Sequence, residues 1–455
     1  MGQVSLLPYP TALVPSSDER RDAGKELRQR VPRSSHAVWA PGRERVDPIE
    51  LLRTTDRRRL PSLTPIRYGR MLAGPSAFFR GSAIIMAHDL SQTPVTGLQA
   101  QICGDAHLGN FGGFATPERE LIFDLNDFDE TLVGPWEWDV KRLAASIVLT
   151  GRELGMPERV CRHAVLSALE SYRRHMRSFG EMRFLDTWYT AITASDLFER
   201  LDAPKLSASL TAKAERKTNV GALARLAQEV DGGYRIENDP PLITHRTYPI
   251  AQRIPEVWSA YRSSLQEDRR ILLDRYRLVD IARKVVGVGS VGLRCFIVLL
   301  LGSDDDDPLF LQIKEARRSV LEPFGKKPEY ANQGKRVASG QRIMQAASDL
   351  FLGWTRCGSI DYYVRQLRDM KFSVPTEELD ARELAEYAAL CANALAQAHA
   401  VSSDPAKIGG YLGSGNAFDC AVTDFAGVYA DQAERDYEAF RKAVRRGRIE
   451  AAPGI

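Results

Sequence analysis

The spacing of apolar residues predicts a mainly helical chain with a group of strands in its second half. Helical spacing indicates a buried helix at residues 75–90, further helices at 136–180, and charged amphipathic helices at 184–229. Short β-forming runs at 98–103 and 120–125 predict two strands that flank a loop. The first half is therefore expected to be mainly helical, with two short strands beside this loop.

The pattern changes near residue 240, after a stretch rich in Gly and Pro at 231–241 that marks a boundary. Residues 281–314 alternate β-forming runs with turns and predict three antiparallel strands, and residues 362–370 predict a further strand. Four helices are also predicted, at residues 254–276, 330–352, 381–400 and 428–448. The second half therefore combines a small sheet with helices.

Length and composition narrow the class of protein. A chain of 455 residues exceeds one compact core, so two lobes with a cleft between them are expected. No apolar run approaches the roughly 20 residues that span a bilayer. The six cysteines are widely spaced and form no C-x-x-C pair, which argues against a zinc site and favours a reducing cytoplasm.

The charge distribution gives no sign of a nucleic-acid partner. The net charge is +3, from 62 basic and 59 acidic residues, whereas nucleic-acid-binding proteins usually concentrate basic residues on one face. Residues 20–70 are rich in Arg, but acidic residues interrupt them, which favours a solvated surface. The first 74 residues are expected to form a partly ordered arm with one short helix at 48–53.

Candidate chemistry is concentrated in the loop Gly104-Asp105-Ala106-His107-Leu108-Gly109-Asn110 and in Asp127-Phe128-Asp129. An aspartate in such a loop can accept a proton from an attacking hydroxyl, while an asparagine and a second aspartate can bind Mg²⁺ beside the phosphates of ATP. We therefore assign proton acceptance to Asp105, and metal binding to Asn110 and Asp127. Asp124 competes with Asp127, because it lies closer to Asn110 in the sequence.

A second motif, Gly287-Val288-Gly289-Ser290-Val291-Gly292, lies between two predicted strands. A dinucleotide-binding fold would need a helix directly after these glycines, whereas residues 293–300 are dense in β-formers. The loop resembles the hairpin that covers the phosphates of ATP in kinases, where glycine lets backbone N–H groups approach phosphate oxygens closely. The resemblance implies this role for Gly287, Gly289, Ser290 and Gly292. The next strand ends in Leu311-Gln312-Ile313-Lys314 and resembles the V-A-I-K strand of kinases, which implies that Lys314 contacts the phosphates. The alternative is a plain β-hairpin with an exposed lysine.

Kinases pair such a lysine with a glutamate on a helix, and no single glutamate stands out here. Glu322 precedes the next predicted helix, and the body of that helix carries Gln341. A glutamine can orient a lysine by hydrogen bonding without neutralising its charge. Glu322 and Gln341 are therefore both candidate partners of Lys314.

The loop at 104–110 is similar to the G-D-L-H-P-G-N loop of aminoglycoside phosphotransferases and choline-kinase-like enzymes, and residues 125–129 resemble the I-D-(F/W)-(D/E) element that follows it there. The resemblance favours Asp127 over Asp124, since Asp139 follows Asp127 by twelve residues at the start of a helix. A carboxylate in that position accepts backbone N–H bonds, which implies a structural role. The resemblance implies that His107 supports the site, with metal binding as the alternative. Asp124 and Asp129 are expected to support the site or to add metal contacts, as Asp139 supports it structurally.

The chain also resembles, over nearly its full length, a bacterial family that is catalogued as domain of unknown function 2252. Residues 67–71, 79–81 and 138–146 carry this resemblance, which implies no substrate. Three arginines near these residues have guanidinium groups that suit an anionic part of an acceptor, although surface pairing is the more common role. They are Arg67, Arg70 and Arg80.

The two motifs stand in inverted order, because ordinary kinases place the glycine loop and lysine before the catalytic loop. Coincidence is one explanation and circular permutation is another. The sequence Leu395-Ala396-Gln397-Ala398-His399-Ala400 resembles the helix end that directly precedes the catalytic loop in antibiotic kinases, which favours permutation. Permutation is physically permissible when the joined termini lie close together.

We therefore expect an α+β, kinase-like fold of two lobes in permuted order, with a small antiparallel-sheet lobe inserted in a mainly helical lobe. The expected segments are the arm (1–74), the helical lobe with the catalytic loop and metal-binding motif (75–240), the sheet lobe that clamps ATP (241–372) and the remainder of the helical lobe (373–455). Residues of the two motifs should then meet in one site.

The predicted function is ATP- and Mg²⁺-dependent transfer of a phosphoryl group to a hydroxyl of a small molecule or a protein. Two alternatives stay open: adenylyl transfer to a protein by a kinase-like site that holds ATP in reverse, and a non-catalytic nucleotide-binding module. A cytoplasmic location without a membrane span is expected. The sequence specifies neither the acceptor nor the oligomeric state.

Overall fold

The computed structural model describes residues 15–201, 212, 219–230, 232–245, 249–304, 306–367 and 370–454. Over this part of the chain the fold is α+β, as predicted, with many helices and small antiparallel sheets. The start of the predicted arm and part of the helices predicted at 184–229 lie outside the described residues. Within the described part, no helix is both long and apolar enough to cross a membrane.

The helices of the described residues are α1 (Ser17–Arg30), α2 (Pro48–Asp56), α3 (Thr64–Met71), α4 (Pro75–Gly81), α5 (Ala83–Leu90), α6 (Trp136–Glu153), α7 (Glu158–Glu181), α8 (Phe184–Tyr189), α9 (Ala194–Leu201), α10 (Asn219–Leu226), α11 (Pro249–Gln252), α12 (Ile254–Ser263), α13 (Glu267–Leu273), α14 (Gln333–Met344), α15 (Ala381–Ala400), α16 (Pro405–Leu412) and α17 (Ala417–Arg445).

The strands are β1 (Gln99–Ile102), β2 (Phe111–Ala115), β3 (Leu121–Leu125), β4 (Leu132–Pro135), β5 (Ala227–Val230), β6 (Gly233–Ile236), β7 (Ile243–Thr244), β8 (Arg277–Lys284), β9 (Cys295–Leu301), β10 (Pro308–Ala316), β11 (Gly353–Cys357) and β12 (Ile360–Gln366). The order β11-β12-β10-β9-β8-β7 forms one antiparallel sheet, and β1 pairs with β4, β2 with β3, and β5 with β6.

Strand β9 explains why an unbroken apolar run lies in this sheet. Successive side chains of a strand point to opposite faces, and both faces are covered here. Phe296 and Val298 belong to the apolar cluster of one face, while Ile297 and Leu299 belong to the cluster of the other. A continuous apolar sequence is therefore what this central strand requires.

The helical part is organised around α15, whose bounds match the predicted helix at 381–400. Asp380 caps its first turn together with Glu383 in a capping box, and its Ala-rich body allows close packing of α7 along its length. The same core contains Trp136 stacked on Tyr172, with ring centroids 5.7 Å apart. This packing fixes the helices that carry the candidate site.

The prediction of one helix at 75–90 is wrong in one respect, because the structure has two helices there, α4 and α5, divided at Ser82. The carbonyl oxygen of Gly81 accepts a hydrogen bond from the guanidinium of Arg67 at 2.8 Å, and the hydroxyl of Ser82 donates to the carbonyl oxygen of Phe78 at 2.7 Å. Side chains thus bond to carbonyl groups that would accept backbone N–H groups in a continuous helix. Gly and Ser also have weak helix propensity.

From residue 15 onward, the N-terminal arm contains more helix than predicted. Its α1 begins with a capping box of Ser16 and Glu19, a sequence signal that the prediction of a single short helix missed. The Arg-rich segment is not simply solvated surface either. Arg45 is mostly buried and forms ion pairs with Asp89 at 2.8 Å and Asp436 at 2.6 Å. Arginine in this segment therefore ties the arm to the helical core.

Several boundaries differ from the predicted ones. The helix predicted at 254–276 is divided into α12 and α13, the one at 330–352 is reduced to α14, and α17 begins well before residue 428. β11 and α16 were not predicted. Apolar spacing locates a helix better than it locates the ends of that helix.

Asp124 is a buried carboxylate of β3 whose ionisation is disfavoured. It is 5% exposed, and its oxygens accept hydrogen bonds from the backbone N–H groups of Leu125 at 2.8 Å and Ala346 at 2.9 Å. Burial raises the pKa of this carboxyl from 3.8 to about 7, although the two hydrogen bonds oppose the change. The folded state therefore holds this proton more tightly than the unfolded state does.

We expect Asp124→Asn to alter how stability depends on pH. Since the folded pKa lies above the unfolded one, this carboxyl makes the free energy of unfolding fall as pH rises from about 4 to 7. The unfolding free energy of the variant minus that of the wild type should rise by about 1 kcal/mol per pH unit between pH 5 and 7, as measured by urea denaturation. Glu26→Gln, on the exposed face of α1, is the control and should show no such slope. A constant difference between Asp124→Asn and wild type would contradict this account.

Candidate active site

The loop at 104–110 is held at its start by Asp139, a buried residue in the first turn of α6. The Asp139 carboxylate accepts hydrogen bonds from the backbone N–H groups of Cys103 at 2.7 Å and Gly104 at 2.9 Å. The imidazole Nε2 of His399 lies 3.4 Å from the same carboxylate. Asp139 thus holds the start of the loop through hydrogen bonds that cross the core from α6.

Gly104 is a position where only glycine fits. Its φ is +78°, in the region that L side chains rarely adopt. A Cβ there would lie 2.6 Å from the carbonyl oxygen of Glu130 and 2.7 Å from Leu321. This close approach brings the loop against the segment that follows Asp127.

Asp105 is half-buried, and Arg142 of α6 orients its carboxylate. The Nε of Arg142 donates to Oδ1 of Asp105 at 2.5 Å, while the same guanidinium donates to the carbonyl oxygen of Phe79 at 3.0 Å and lies over its ring. Burial raises the pKa of the Asp105 carboxyl, and Arg142 opposes that rise without cancelling it. The carboxylate is therefore fixed in place and remains basic. Sequence reasoning missed Arg142, although it lies three residues after Asp139 on the same helix.

Asn110 joins the two motif segments through its side-chain amide. The Nδ2 group donates to the carbonyl oxygens of Asp127 at 3.0 Å and Asp105 at 3.3 Å, and Oδ1 accepts the backbone N–H of Asp127 at 2.6 Å. The residue is 2% exposed. Asn110 thus braces the loops, and a metal would have to use the second lone pair of its Oδ1. The carboxylate of Asp127 is 48% exposed and is freer to bind a cation.

Asp129 is the point where three distant parts of the chain meet. Its carboxylate lies 2.6 Å from Nζ of Lys314, and it accepts hydrogen bonds from the hydroxyl of Tyr363 at 3.0 Å and that of Ser290 at 3.3 Å. Asp127 lies 3.8 Å from the same Nζ. Strands β10 and β12 and the glycine loop thus converge on the segment that follows Asn110.

Lys314 is buried, so its charge depends on these carboxylates. Burial lowers the pKa of the ammonium group, but Asp127 and Asp129 raise it more, so that the pKa lies above its ordinary value. The same pair holds the pKa of the Asp129 carboxyl below its ordinary value, against the effect of burial. Both groups are charged at neutral pH.

The candidate partners of Lys314 lie elsewhere. The Glu322 carboxylate is 3.9 Å from Arg318, and the Gln341 side chain donates to Gln345 at 2.9 Å. The helix that follows the lysine strand instead supplies Arg336, which is 1% exposed. Its guanidinium donates to the carbonyl oxygens of Asp129, Thr131 and Arg317. No spacing in the sequence distinguishes Arg336 from a surface arginine of a helix.

Asp124 and Asp127, the two competing candidates for metal binding, lie in different surroundings. Asp124 lies on β3 and bonds to the backbone of Ala346, whereas Asp127 faces Lys314. A small cavity of 60 Å³, here called the carboxylate cavity, contains Asp127 but not Asp124 in its lining. Its polar lining includes Asp105, Asp127, Asp129, Glu130, Ser290 and Arg80.

A larger cavity of 330 Å³, here called the His107 cavity, lies on the other side of the loop. It is lined by His107 and Gly109 of the loop, and by residues of α4 and α6. Arg80 lines both cavities. Within the described residues its exposed guanidinium forms no hydrogen bond or ion pair, whereas Arg67 pairs with Asp56 at 2.9 Å and Arg70 donates to the carbonyl oxygen of Val286 at 2.6 Å. Of the three arginines considered from the sequence, Arg80 is thus the one available to a ligand.

The N-terminal arm forms a clasp on the glycine loop, which sequence reasoning missed. The backbone N–H of Leu60 donates to the carbonyl oxygen of Gly292 at 2.8 Å, and the guanidinium of Arg59 donates to that of Val291. With the Arg70 bond to Val286, these hydrogen bonds hold both ends of the loop. Gly292 has a φ of +88°, a backbone conformation that favours glycine over residues with a side chain.

Gly287 and Gly289 are different, because packing does not require them. A Cβ on Gly287 would meet no heavy atom within 4 Å, and one on Gly289 would meet only the carbonyl oxygen of Arg80, at 3.7 Å. Neither residue has a positive φ. The bare backbone at these positions leaves room for a ligand to approach closely.

The end of α15 lies beside the strand that leads into the loop. The backbone N–H of Gln101 in β1 donates to the hydroxyl of Ser402, 301 residues away, at 2.9 Å. His399 is bonded to Tyr172 at 2.8 Å and faces Asp139. The segment that resembles the helix end of antibiotic kinases is therefore next to the loop in space, although not in sequence.

We expect Asp139→Ala to destabilise the protein by about 3 kcal/mol, because two buried N–H groups would lose their acceptor. Asp139→Asn keeps one acceptor oxygen and should cost about half as much. Asp431→Ala removes an exposed ion pair with Arg152 and serves as the control, with a cost of about 1 kcal/mol or less. Urea denaturation measures all three. Equal losses in Asp139→Ala and Asp431→Ala would contradict the role given to Asp139.

Comparisons with known proteins give a family. The profile of a family described as "Uncharacterized protein conserved in bacteria (DUF2252)" matches residues 58–443. No curated protein and no solved structure matches the chain. Because the match covers far more than half of the sequence, the chain belongs to the DUF2252 family.

Proposed function

We propose that the protein transfers a phosphoryl group from ATP, with Mg²⁺, to a hydroxyl of an acceptor. The observation that carries the proposal is the contact of Asp129 with Ser290 and Lys314. Ser290 lies 161 residues from Asp129 in sequence, and its hydroxyl donates to the carboxylate at 3.3 Å. Two motifs that the sequence predicts separately, one for phosphate binding and one for metal binding, are thus in contact, which supports the proposal.

The same contacts support a permuted kinase-like fold as part of this proposal. The sheet of residues 241–372 would be the ATP-clamping lobe, and residues 75–240 with 373–455 would be the helical lobe. The hydrogen bond between Gln101 and Ser402 supports this arrangement, because it joins the end of α15 to the strand before the loop. Joining these two points in sequence would give the motif order of ordinary kinases.

The proposal gives separate roles to Asp105, to Lys314 and to the glycine loop. Asp105, oriented by Arg142, would accept the proton of the attacking hydroxyl, since its raised pKa brings it closer to neutral pH. Lys314 and the backbone of Gly287 and Gly289 would contact the phosphates. ATP with Mg²⁺ would supply the phosphoryl group.

The side chains fit Mg²⁺ and phosphate in their chemistry. Mg²⁺ prefers oxygen ligands and is often held by one or two carboxylates together with substrate phosphates, so the half-exposed Asp127 with Asp129 suits it. The described residues contain no group of three or more His, Cys, Asp and Glu side chains placed to hold a metal. The 60 Å³ carboxylate cavity is too small for a triphosphate, so the glycine loop must open for ATP to bind.

A non-catalytic nucleotide-binding module is the second candidate. One observation favours it: Lys314 and Asp105 are both already paired, with Asp129 and Arg142 respectively. Adenylyl transfer has no separate support from the geometry, and the position of the label in ATP distinguishes it.

We expect Asp105→Asn to lower Mg²⁺-dependent ATP consumption at least about 100-fold, because general-base catalysis contributes on the order of 10²–10⁴. Its affinity for ATP should stay near that of the wild type. The measurement uses γ-labelled and α-labelled ATP in parallel, with EDTA as the metal control. Asp424→Asn, on the surface of α17, is the matched carboxylate control. Equal turnover by Asp105→Asn and wild type would refute the role of Asp105, and transfer of the α label would indicate adenylyl transfer.

Lys314→Met should weaken ATP binding by roughly 10- to 100-fold, because a charge-assisted hydrogen bond to phosphate contributes about 1.5–3 kcal/mol. It should also destabilise the protein by about 3 kcal/mol, since the half-buried Asp129 would lose its charged partner and keep only the hydroxyl groups of Tyr363 and Ser290. The double variant Lys314→Met, Asp129→Asn should regain much of the stability but not the affinity. Calorimetric titration and urea denaturation separate the two effects. If affinity returned together with stability, Lys314 would be structural and would not contact phosphate.

A further inference from the structure

The His107 cavity has the size of a binding site for a small molecule. Its volume of 330 Å³ is at the lower end of the roughly 300–1,000 Å³ that is typical of ligand pockets. It is formed by α4, residues 107–109 of the loop, the last turns of α6 and residues 376–377. Such a cavity suits a compact molecule rather than a folded protein surface.

Two polar side chains that line this cavity lack hydrogen-bond partners within the described residues. Nδ1 of His107 and Oγ of Ser76 are both buried and unpartnered. His107 is 8% exposed, and burial, with Arg80 and Arg142, holds its pKa well below its ordinary value, so its ring is neutral. A neutral imidazole offers one donor and one acceptor, which suits a hydroxyl group. Buried polar groups without partners are costly, and a ligand with hydroxyl groups would satisfy them.

The charges of the lining select against an anionic ligand. Two carboxylates, Glu153 and Glu377, line the cavity, whereas Arg80 is its one cationic residue within the described part of the chain. One oxygen of Glu153 accepts the backbone N–H of Ser76 at 2.8 Å, which fixes that carboxylate at the wall. A neutral or cationic molecule is therefore favoured.

The position of the cavity connects it to the proposed reaction. Nε2 of His107 lies 4.0 Å from the Asp105 carboxylate, and Arg80 lines both this cavity and the carboxylate cavity. We propose that the His107 cavity is the acceptor site, and that it takes a small, neutral or cationic molecule with several hydroxyl groups. This assignment rests on the proposed phosphoryl transfer for the name acceptor, but binding to the cavity can be tested without turnover.

In the test, a larger side chain fills the cavity, and the compounds that the protein then fails to retain are identified. Ala73 is exposed and lines the cavity, so Ala73→Phe places a ring in it, and Thr150→Phe does so from α6 as a second variant. Ala439→Phe, on the exposed face of α17, is the matched control. Each protein is equilibrated by dialysis against the fraction of a bacterial cell extract below about 1 kDa, and retained compounds are identified by mass spectrometry. Transfer of label from γ-labelled ATP to the same fraction is measured separately.

We expect wild type and Ala439→Phe to retain the same hydroxyl compounds, and the two cavity variants to retain them about tenfold less. Equal retention by all four proteins, retention of anionic compounds only, or no retention by wild type would overturn the assignment. Label found in protein rather than in small molecules would also overturn it. Retention that depends on the cavity, without transfer of label, would refute phosphoryl transfer while leaving the cavity as a ligand site.

Discussion

The ion pair between Asp129 and Lys314 is the contact on which the arrangement of the candidate site depends. It joins the sheet to the segment after the loop, and Tyr363 and Ser290 complete the bonding of the carboxylate. A buried ion pair contributes little net stability, since desolvation offsets the attraction, and its best-attested use is to fix one arrangement among several. Here it specifies which residues of the sheet face which residues of the loop.

Much of the architecture could be predicted from periodicity. The bounds of α15 and the position of β9 follow directly from spacing, because a long amphipathic helix and a strand buried on both faces each leave a distinct pattern. The break at Ser82 could not be predicted in this way, since it depends on a guanidinium from another helix. The order within the arm was missed for a related reason: its arginines are polar in sequence but bind carbonyl and carboxylate groups of the core.

The candidate site was predictable in its motifs but not in its pairings. Loop, glycine motif and lysine were found because glycine, aspartate and lysine have specific chemical uses at specific spacings. The partner of Lys314 was expected at Glu322 or Gln341, before or within the next helix, whereas Asp129 is the partner and the helix provides Arg336. Contacts between side chains that lie far apart in the sequence depend on the whole fold. A single sequence indicates such contacts only where a known motif implies them. Arg142, Arg336 and the clasp of the arm have no such motif.

The clasp on the glycine loop has an energetic consequence. Hydrogen bonds from Leu60, Arg59 and Arg70 hold three carbonyl groups of this loop, and each contributes about 0.5–1.5 kcal/mol. A ligand that requires the loop to lift must overcome their sum, so its apparent affinity is reduced by the fraction of molecules in which the loop is open. Anything that loosens the arm would raise that fraction. In the proposed function the N-terminal segment would thus set a threshold for occupancy of a cavity that Thr55, Arg59 and Arg67 also line.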